Sequence, residues 1–541
     1  PSPRRKHNRR GPVEQHPGPR ATVPRPNGAK PRDADVVPCG EGNRADGMAG
    51  SGRSTFIVPG KRGNLPEGSP RREGGCREAV RLRNQSDPWI AEGTDDGTPR
   101  PMDVSTKLQR IAQLAKEDPK RVLTTLAHHI DIEFLREAFR RTRKDGAPGV
   151  DDQTAEEYAK DLDGNLRLLL DRFKSGTYRA PPVRRVHIPK GDGKKTRPIG
   201  NPTFEDKVLQ RAVSMVLEAI YEQEFYPFSY GFRPRRGPHD ALQYLRDGLM
   251  AMGGGWVLEV DIKSFFDTLD HGHLRAFLDQ RVRDGVLRRA IDKWLKAGVL
   301  EDGKLSYPDE GSPQGGVISP ILANIYLHEV LDRWFEETVK PRLRGKAFVV
   351  RFADDFVIAF ALESDARRVY EVLPKRFGKF GLAIHPDKTR LVRFFRPSRA
   401  STGKGQDGQG GTPGSFVLLG FTHFWSRSLR GYWVIKHRTA SSRFRRALRR
   451  IDDWCRRNTH LPIRMQHKQL VLKLRGHYGY YGITGNSYAI QRFRFWVGRM
   501  WHRWLNRRAQ HARVSWETFN RLLKVYVLPP ALCVHSSLRA R

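Results

Sequence analysis

The chain has 541 residues but only 4 cysteines, Cys39, Cys76, Cys455 and Cys533. They lie far apart and none forms a Cys-x-x-Cys pair. Neither a zinc cage nor a disulfide framework is suggested, and an intracellular compartment, the cytoplasm, fits. Long apolar runs are missing too. None approaches the roughly 20 residues of a membrane-spanning helix, and the first residues carry charge without the apolar core of a signal peptide. A membrane is therefore not expected as a partner. Acid is scarce: 59 Asp and Glu stand against 98 Lys and Arg, for a net charge of +39. Such an excess demands a polyanion, and nucleic acid is the plain choice.

The excess is uneven. Residues 436–541 carry 24 Lys and Arg against 3 Asp and Glu, so that segment's partner is strongly anionic. Residues 1–100 are a different material, about three in ten of them Gly or Pro, with few aromatics and no periodic apolar face. They are predicted to form a disordered arm. Because the chain begins with Pro1 rather than Met, we expect much of this stretch to be a processed or fragmentary end, or translation upstream of the true start.

Helical spacing begins near Thr106, through Leu108, Ile111, Leu114 and Ala115. A second helix is predicted from about Asp131 to Arg143, ending at a Gly/Pro loop that includes Gly146, Pro148 and Gly149. Residues 178–199 read as a basic hairpin about the turn Gly191-Asp192-Gly193. Near the other end, Phe493, Trp496, Val497, Met500, Trp501, Trp504 and Leu505 mark one apolar helical face, with Arg499, Arg503 and Arg507 off it. Phe444, Ala447, Leu448, Ile451 and Trp454 repeat the design.

Between these lies Arg351-Phe352-Ala353-Asp354-Asp355-Phe356, flanked by apolar residues on both sides. The pattern predicts strand, tight turn, strand, with two carboxylates at the turn. Aspartate is disfavoured within strands, and adjacent carboxylates repel, so the pair needs a compensating cation, most simply a divalent metal. A second strand, Trp256-Val257-Leu258-Glu259-Val260-Asp261, also ends in acid. If the strands pair, Asp261 and Asp354 can share metals, the hardware of nucleotidyl transfer.

These segments resemble the bacterial group II intron reverse transcriptases, or maturases. The acidic turn is similar to their YADD box, with Phe352 in place of the commoner Tyr. Asp261-Ile262-Lys263-Ser264-Phe265-Phe266-Asp267 resembles the first palm motif, and Ser312-Pro313-Gln314-Gly315-Gly316 the PQGG motif ahead of the palm helix. The resemblance runs from about residue 104 to the C-terminus. It implies an α+β right hand, with fingers and palm built on antiparallel sheet, followed by an α-helical thumb or maturase X domain. We expect divisions at 1–100 (arm), 101–245 (N-terminal element and fingers), 246–428 (palm) and 429–541 (thumb).

The resemblance also assigns residues. Asp261, Asp354 and Asp355, with the backbone carbonyl of Ile262, would hold two Mg²⁺ ions, for which Mn²⁺ could substitute. Arg197 would clamp the triphosphate of a deoxynucleotide, since a guanidinium can grip phosphate at two points, with Lys190 and Gln314 nearby. Phe266 would be the gate against a 2′-hydroxyl, and Lys388 would stabilise the centre. Arg233, Gly315, Gly316 and Phe352 would meet template or primer, and Leu419-Gly420-Phe421 would form the primer grip. Asp267 and Asp270 are expected to cap the helix near His271. Arg475 and Tyr478, in the segment resembling the X motif, would join Arg499, Arg503 and Arg507 on RNA. The implied function is RNA-directed DNA polymerisation on intron RNA from a DNA primer, with help to splicing and mobility and with target DNA as a partner. Its rivals are an RNA-binding splicing cofactor that does not polymerise and, more remotely, a retron or defence-associated enzyme. No paired CxxC endonuclease follows the thumb-like segment, so we expect no second-strand cleavage by this chain and a primer from elsewhere, such as nascent strands at replication forks.

Overall fold

The apolar stripe near Thr106 forms helix α1 (Val104–Glu117) in a computed structural model describing residues 103–189, 196–301, 303–307, 311, 315–397, 414–508 and 513–536. The predicted arm, residues 1–100, lies outside the described residues. Helix α2 (Ile132–Arg141) begins where the Asp131 carboxylate accepts the Phe134 amide at 3.0 Å. A capping box of Thr154 and Glu157 starts α3 (Ala155–Tyr158), and α4 (Leu162–Ser175) stops at Gly176, φ +81°. Strands β1 (Val183–Pro189) and β2 (Thr196–Asn201) form the basic hairpin. Its glycine turn lies outside the described residues.

Helix α5 (Phe204–Tyr221) is buried over most of its surface, polar Asp206, Gln210 and Ser214 included. Then follow α6 (Pro238–Met252), β3 (Gly254–Lys263), α7 (His271–Asp279) and α8 (Gly285–Leu295). Asp270 caps α7, its carboxylate accepting the His273 amide at 2.6 Å. After β4 (Val299–Glu301) and β5 (Lys304–Ser306), α9 (Ser319–Leu327) runs on into π-wound turns over His328–Val339. The acidic hairpin is β6 (Ala347–Phe352) and β7 (Asp355–Phe360). It is followed by α10 (Glu363–Gly378), β8 (Ala383–Ile384) and β9 (Arg390–Phe395). A three-stranded meander, β10 (Phe416–Leu418), β11 (Phe421–Arg427) and β12 (Trp433–Thr439), leads into four helices, α11 (Ser441–Arg457), α12 (Ile463–Tyr481), α13 (Ser487–Leu505) and α14 (Trp516–Val525).

The central sheet is antiparallel in the order β6-β7-β3, with β9 and β8 on the far side of β3. Strand alternation sorts its side chains. Leu258, Val260, Phe356 and Ile358 enter the larger core with α9 and α10. Val257, Val357 and Ala359 enter a second core with α6 and the β10–β12 meander. Asp261 and Asp355, in step with this second set, share the meander's side of the sheet. The sheet β2-β1-β4-β5 departs from the antiparallel expectation, because β4 reaches β1 by a long crossover and runs parallel to it from Val183↔Val299. The expected division at 245/246 lies within α6, and that at 428/429 within the β11–β12 hairpin, which pairs from Phe421↔Thr439 to Arg427↔Trp433. Among the described residues no helix is long and apolar enough to cross a membrane.

In the C-terminal helices the predicted face is largely inward, with Phe493, Val497, Trp501 and Leu505 buried against Ile451, Leu470 and Leu474. Trp496 is the exception at 38 % exposure, because it lies at the edge of that stripe beside exposed Phe495.

His423 and His437 face each other across β11 and β12, both buried, with ring centroids 4.8 Å apart. Burial holds the His437 pKa down at about 4, against 6.5 in an unfolded chain. Its neutral form therefore stabilises the fold fully above pH 6.5, and that contribution is lost as pH falls toward 4. His437→Gln should lose less stability than wild type between pH 7 and 5, by about 2 kcal/mol, measured by urea unfolding at each pH. Equal losses would show that His437 titrates alike in both states.

Candidate active site

The register sets Asp261 directly across from Asp355, with Asp354 in the two-residue turn between Phe352 and Asp355. Asp355, rather than Asp354, is thus the cross-strand neighbour of Asp261. Facing residues of an antiparallel pair hold their Cβ atoms about 4.5–5.5 Å apart, close enough for carboxylates to share a cation.

The turn is backbone-strained and braced. Ala353 has φ +58°, a conformation that costs a non-glycine residue about 1–2 kcal/mol. Gly231 packs so tightly on it that a Cβ there would lie 2.2 Å from the Ala353 nitrogen. Beneath sits Arg351, fully buried. Its guanidinium donates to the equally buried Asp332 at 2.8 and 2.5 Å, to Asn324 Oδ1 at 2.9 Å and to the Ala353 carbonyl at 3.2 Å. Asn324 in turn donates to the Gly231 carbonyl at 2.8 Å. No role was expected for this network. Its signal was an arginine in an otherwise apolar strand, a charge that burial tolerates only when paired.

The carboxylates strain one another. Asp355 is exposed at the surface, yet burial and then the Asp354 charge push its pKa up to about 7, while the nearby Leu419 backbone pulls it down. Burial raises Asp354 too, with the Arg197 guanidinium pulling the other way and Asp261 adding to the rise. Lys388 Nζ sits 2.7 Å from Asp261. Arg390 pairs with Glu259 at 2.7 Å, two residues back on the same face. Among the described residues no three acidic, histidine or cysteine side chains converge tightly enough to enclose a metal ion. The donor set nonetheless fits a hard divalent cation, being oxygen-only, mutually repelling and partly neutralised by a displaceable lysine.

The remaining expected residues divide. Lys190 and Gln314 lie outside the described residues. Arg197 is exposed on β2, opposite Ile188, and acts on Asp354. Phe266 is half-buried in a single 3₁₀ turn, its ring 5.3 Å from that of Phe265. Ile262 pairs with Ile384 at the end of β3. Phe352 is half-buried beside the second core. Leu419 and Gly420 form a two-residue turn with φ +51° and +79°.

Four expectations are corrected. Arg233 is buried, paired with Glu222 at 2.9 Å and donating to the Tyr226 and Ser229 carbonyls at 2.8 Å, so it ties a loop rather than meeting template. Phe421 is fully buried against Tyr480 and Tyr481, and so supports the turn instead of touching primer. Tyr478 is 5 % exposed, its ring in the C-terminal core, and is out of RNA's reach. Gly316 is buried; its neighbour Gly315, φ +120°, stays exposed, and a Cβ there would lie 2.5 Å from the Gly200 carbonyl. By contrast Arg475, Arg499, Arg503 and Arg507 are all exposed. Arg499 lies 5.6 Å from the Phe495 ring and 5.3 Å from that of Trp516, and Arg507 lies 5.1 Å from the Trp504 ring.

Residues 188–423 match the family model described as reverse transcriptase (RNA-dependent DNA polymerase). The chain is 35% identical over 330 residues to Protein YkfC of Escherichia coli (strain K12), covering 54% of this chain and 85% of that protein. It is 37% identical over 252 residues to Group II intron-encoded protein LtrA of Lactococcus lactis subsp. cremoris, covering 44% of this chain and 41% of LtrA. It is also 28% identical over 225 residues to Nuclear intron maturase 2, mitochondrial, of Arabidopsis thaliana, covering 33% of this chain and 30% of that protein.

Breaking the Arg351–Asp332 pair strands a buried charge. Arg351→Met should destabilise by about 3–5 kcal/mol, and Arg351→Met with Asp332→Leu should recover most of it, as read by urea unfolding. A single variant as stable as wild type would show that the pair does not brace the turn.

Proposed function

The chain belongs to the reverse transcriptase family of RNA-directed DNA polymerases, among group II intron-encoded proteins and maturases, and we propose that it copies intron RNA into DNA. The observation that carries this reading is the facing pair Asp261 and Asp355, with Asp354 at the adjoining turn, in a chain of net charge +39. In this reading the β1–β2 hairpin is the fingers, the central sheet the palm, the Leu419-Gly420 turn the primer grip, and α11–α14 the thumb.

Reverse transcriptases use divalent metal ions. Here Asp261, Asp354 and Asp355 would hold two, Mg²⁺ with Mn²⁺ as a substitute. Bound there, the ions supply activation of a primer 3′-hydroxyl and stabilisation of the leaving pyrophosphate. The protein's own groups do the rest. Arg197, already acting on Asp354, receives the triphosphate of an incoming deoxynucleotide and neutralises charge at the catalytic turn. Lys388, displaced from Asp261, remains beside the site as a second cation. Phe266 closes the side of the sugar pocket where a 2′-hydroxyl would lie. The carboxylates hold no charge balance alone, so substrate and ions assemble the site together.

The exposed thumb surface supports binding of intron RNA. Arg475, Arg499, Arg503 and Arg507 offer phosphate contacts, and exposed Tyr488, Phe495 and Trp516 offer rings on which unpaired bases stack. We place the working form in the bacterial cytoplasm as a ribonucleoprotein that also engages target DNA.

Purified protein should extend a DNA primer on an RNA template with Mg²⁺, and Asp354→Ala with Asp355→Ala should lower extension by about 10³-fold or more. An equally active double variant would remove these residues from the site. A wild type that promotes splicing without extending primer would leave a splicing cofactor instead. For RNA binding, replacing Arg475, Arg499 and Arg507 with Gln should flatten the slope of log K against log salt by about 2–3. Phe495→Ala should weaken binding to loop RNA by about 1–3 kcal/mol at an unchanged slope. Affinities and slopes matching wild type in both variants would place the RNA elsewhere.

A further inference from the structure

The turn that carries Phe266 is backed by a glycine from a distant part of the chain. After β3, Ser264 takes φ +49°, a conformation most side chains avoid, and the 3₁₀ turn Phe265–Asp267 follows. Phe265 is buried, its ring 6.3 Å from that of Tyr326 on α9, whereas Phe266 is only half-buried. Gly311 packs onto the backbone of this turn. A Cβ there would lie 2.9 Å from the carbonyl oxygens of both Phe266 and Asp267, and φ at Gly311 is +89°, so closeness and conformation both call for glycine. Both polar groups of Gly311 are held. Its N–H donates to the Leu269 carbonyl at 2.9 Å, and its carbonyl lies 2.5 Å from Nε2 of His271, the first residue of α7. A carbonyl can only accept, so His271 carries a proton on Nε2. His271 and Gly311 are both buried, and losing this donor would leave the carbonyl without it, away from water.

We propose that His271 is a positioning residue that sets sugar selectivity. By holding the Gly311 carbonyl it keeps the Gly311 backbone pressed on the Phe266 and Asp267 carbonyls, and so fixes where the Phe266 ring stands against a 2′-hydroxyl. This role depends on the reading of Phe266 as the gate. His271 is buried and acts only through Gly311. Without its bond Gly311 keeps one anchor, at Leu269, and the turn gains room to give way to a ribose. A deoxyribose needs no such room, so the two kinds of nucleotide respond unequally.

Primer extension by the full chain on an RNA template, with a deoxynucleotide or the matching ribonucleotide, gives kcat/KM for each. His271→Leu should lower the deoxy-to-ribo ratio about fivefold, the value of one hydrogen bond. His271→Gln, whose amide can donate where Nε2 does, should restore most of it. The ratio does not depend on how much of a preparation is folded. Gly311→Ala keeps His271 but drives a Cβ onto both carbonyls, so it should lower the ratio too and supplies the reading if His271→Leu does not fold. Equal losses of kcat/KM for both nucleotides in His271→Leu, at a wild-type ratio, are the pattern of a merely structural role and would overturn the proposal. So would a wild-type ratio in Gly311→Ala. Phe266→Ala separates the gate from its support. A lowered ratio there, with wild-type ratios in the other variants, ends the role of His271 alone. A wild-type ratio in Phe266→Ala ends the gate reading and the role of His271 with it, and a wild type that extends no primer ends both along with the polymerase reading.

Discussion

Arg351 is a guanidinium without contact with solvent, and the acidic turn depends on it. Its charge is matched by Asp332 and its remaining donors reach Asn324 and the Ala353 carbonyl. Such a pair adds little net stability over an apolar replacement, since desolvation offsets most of the attraction. What it supplies is position. Ala353 is held at positive φ, Gly231 closes over it, and Asp354 and Asp355 emerge at a fixed place on the sheet. Carboxylates that repel one another would relax apart on a soft turn.

The same logic governs the charges above the turn. Asp261, Asp354 and Asp355 form an acidic focus in a strongly basic protein, and Lys388 and Arg197 reach into it. Without ions the two basic groups partly screen the acids. These long side chains are carried on a rigid β frame. The frame is rigid because both faces of the central sheet are covered, by α9 and α10 on one side and by α6 and the β10–β12 meander on the other.

The meander joins the acidic turn's sheet to the C-terminal helices. Its Leu419-Gly420 turn is bonded to Tyr480 and Ala440, and Phe416 and Leu418 ahead of it share the second core with Val257 and Val357 of the central sheet. The helices that carry the exposed arginines are therefore anchored to the sheet that bears the acidic turn.

Much was legible in the residues themselves. The three aspartates, the basic hairpin and the amphipathic C-terminal helices follow from local pattern: apolar alternation around acid, Gly/Pro punctuation, and a helical stripe of Phe and Trp. Such features need only neighbours in sequence. Misread were residues whose role depends on what lies opposite in space. Arg233, Phe421 and Tyr478 have types suited to nucleic acid, but Glu222, Tyr480 and the C-terminal core claim them. The parallel pairing of β1 with β4, the facing of Asp261 with Asp355, and the Arg351 network likewise join segments far apart in the chain. Composition by itself determined that this is a basic protein bearing carboxylates suited to metal. Only the tertiary structure decided which side chains stay free to act, because burial and partnership belong to the packed whole and not to any one stretch of residues.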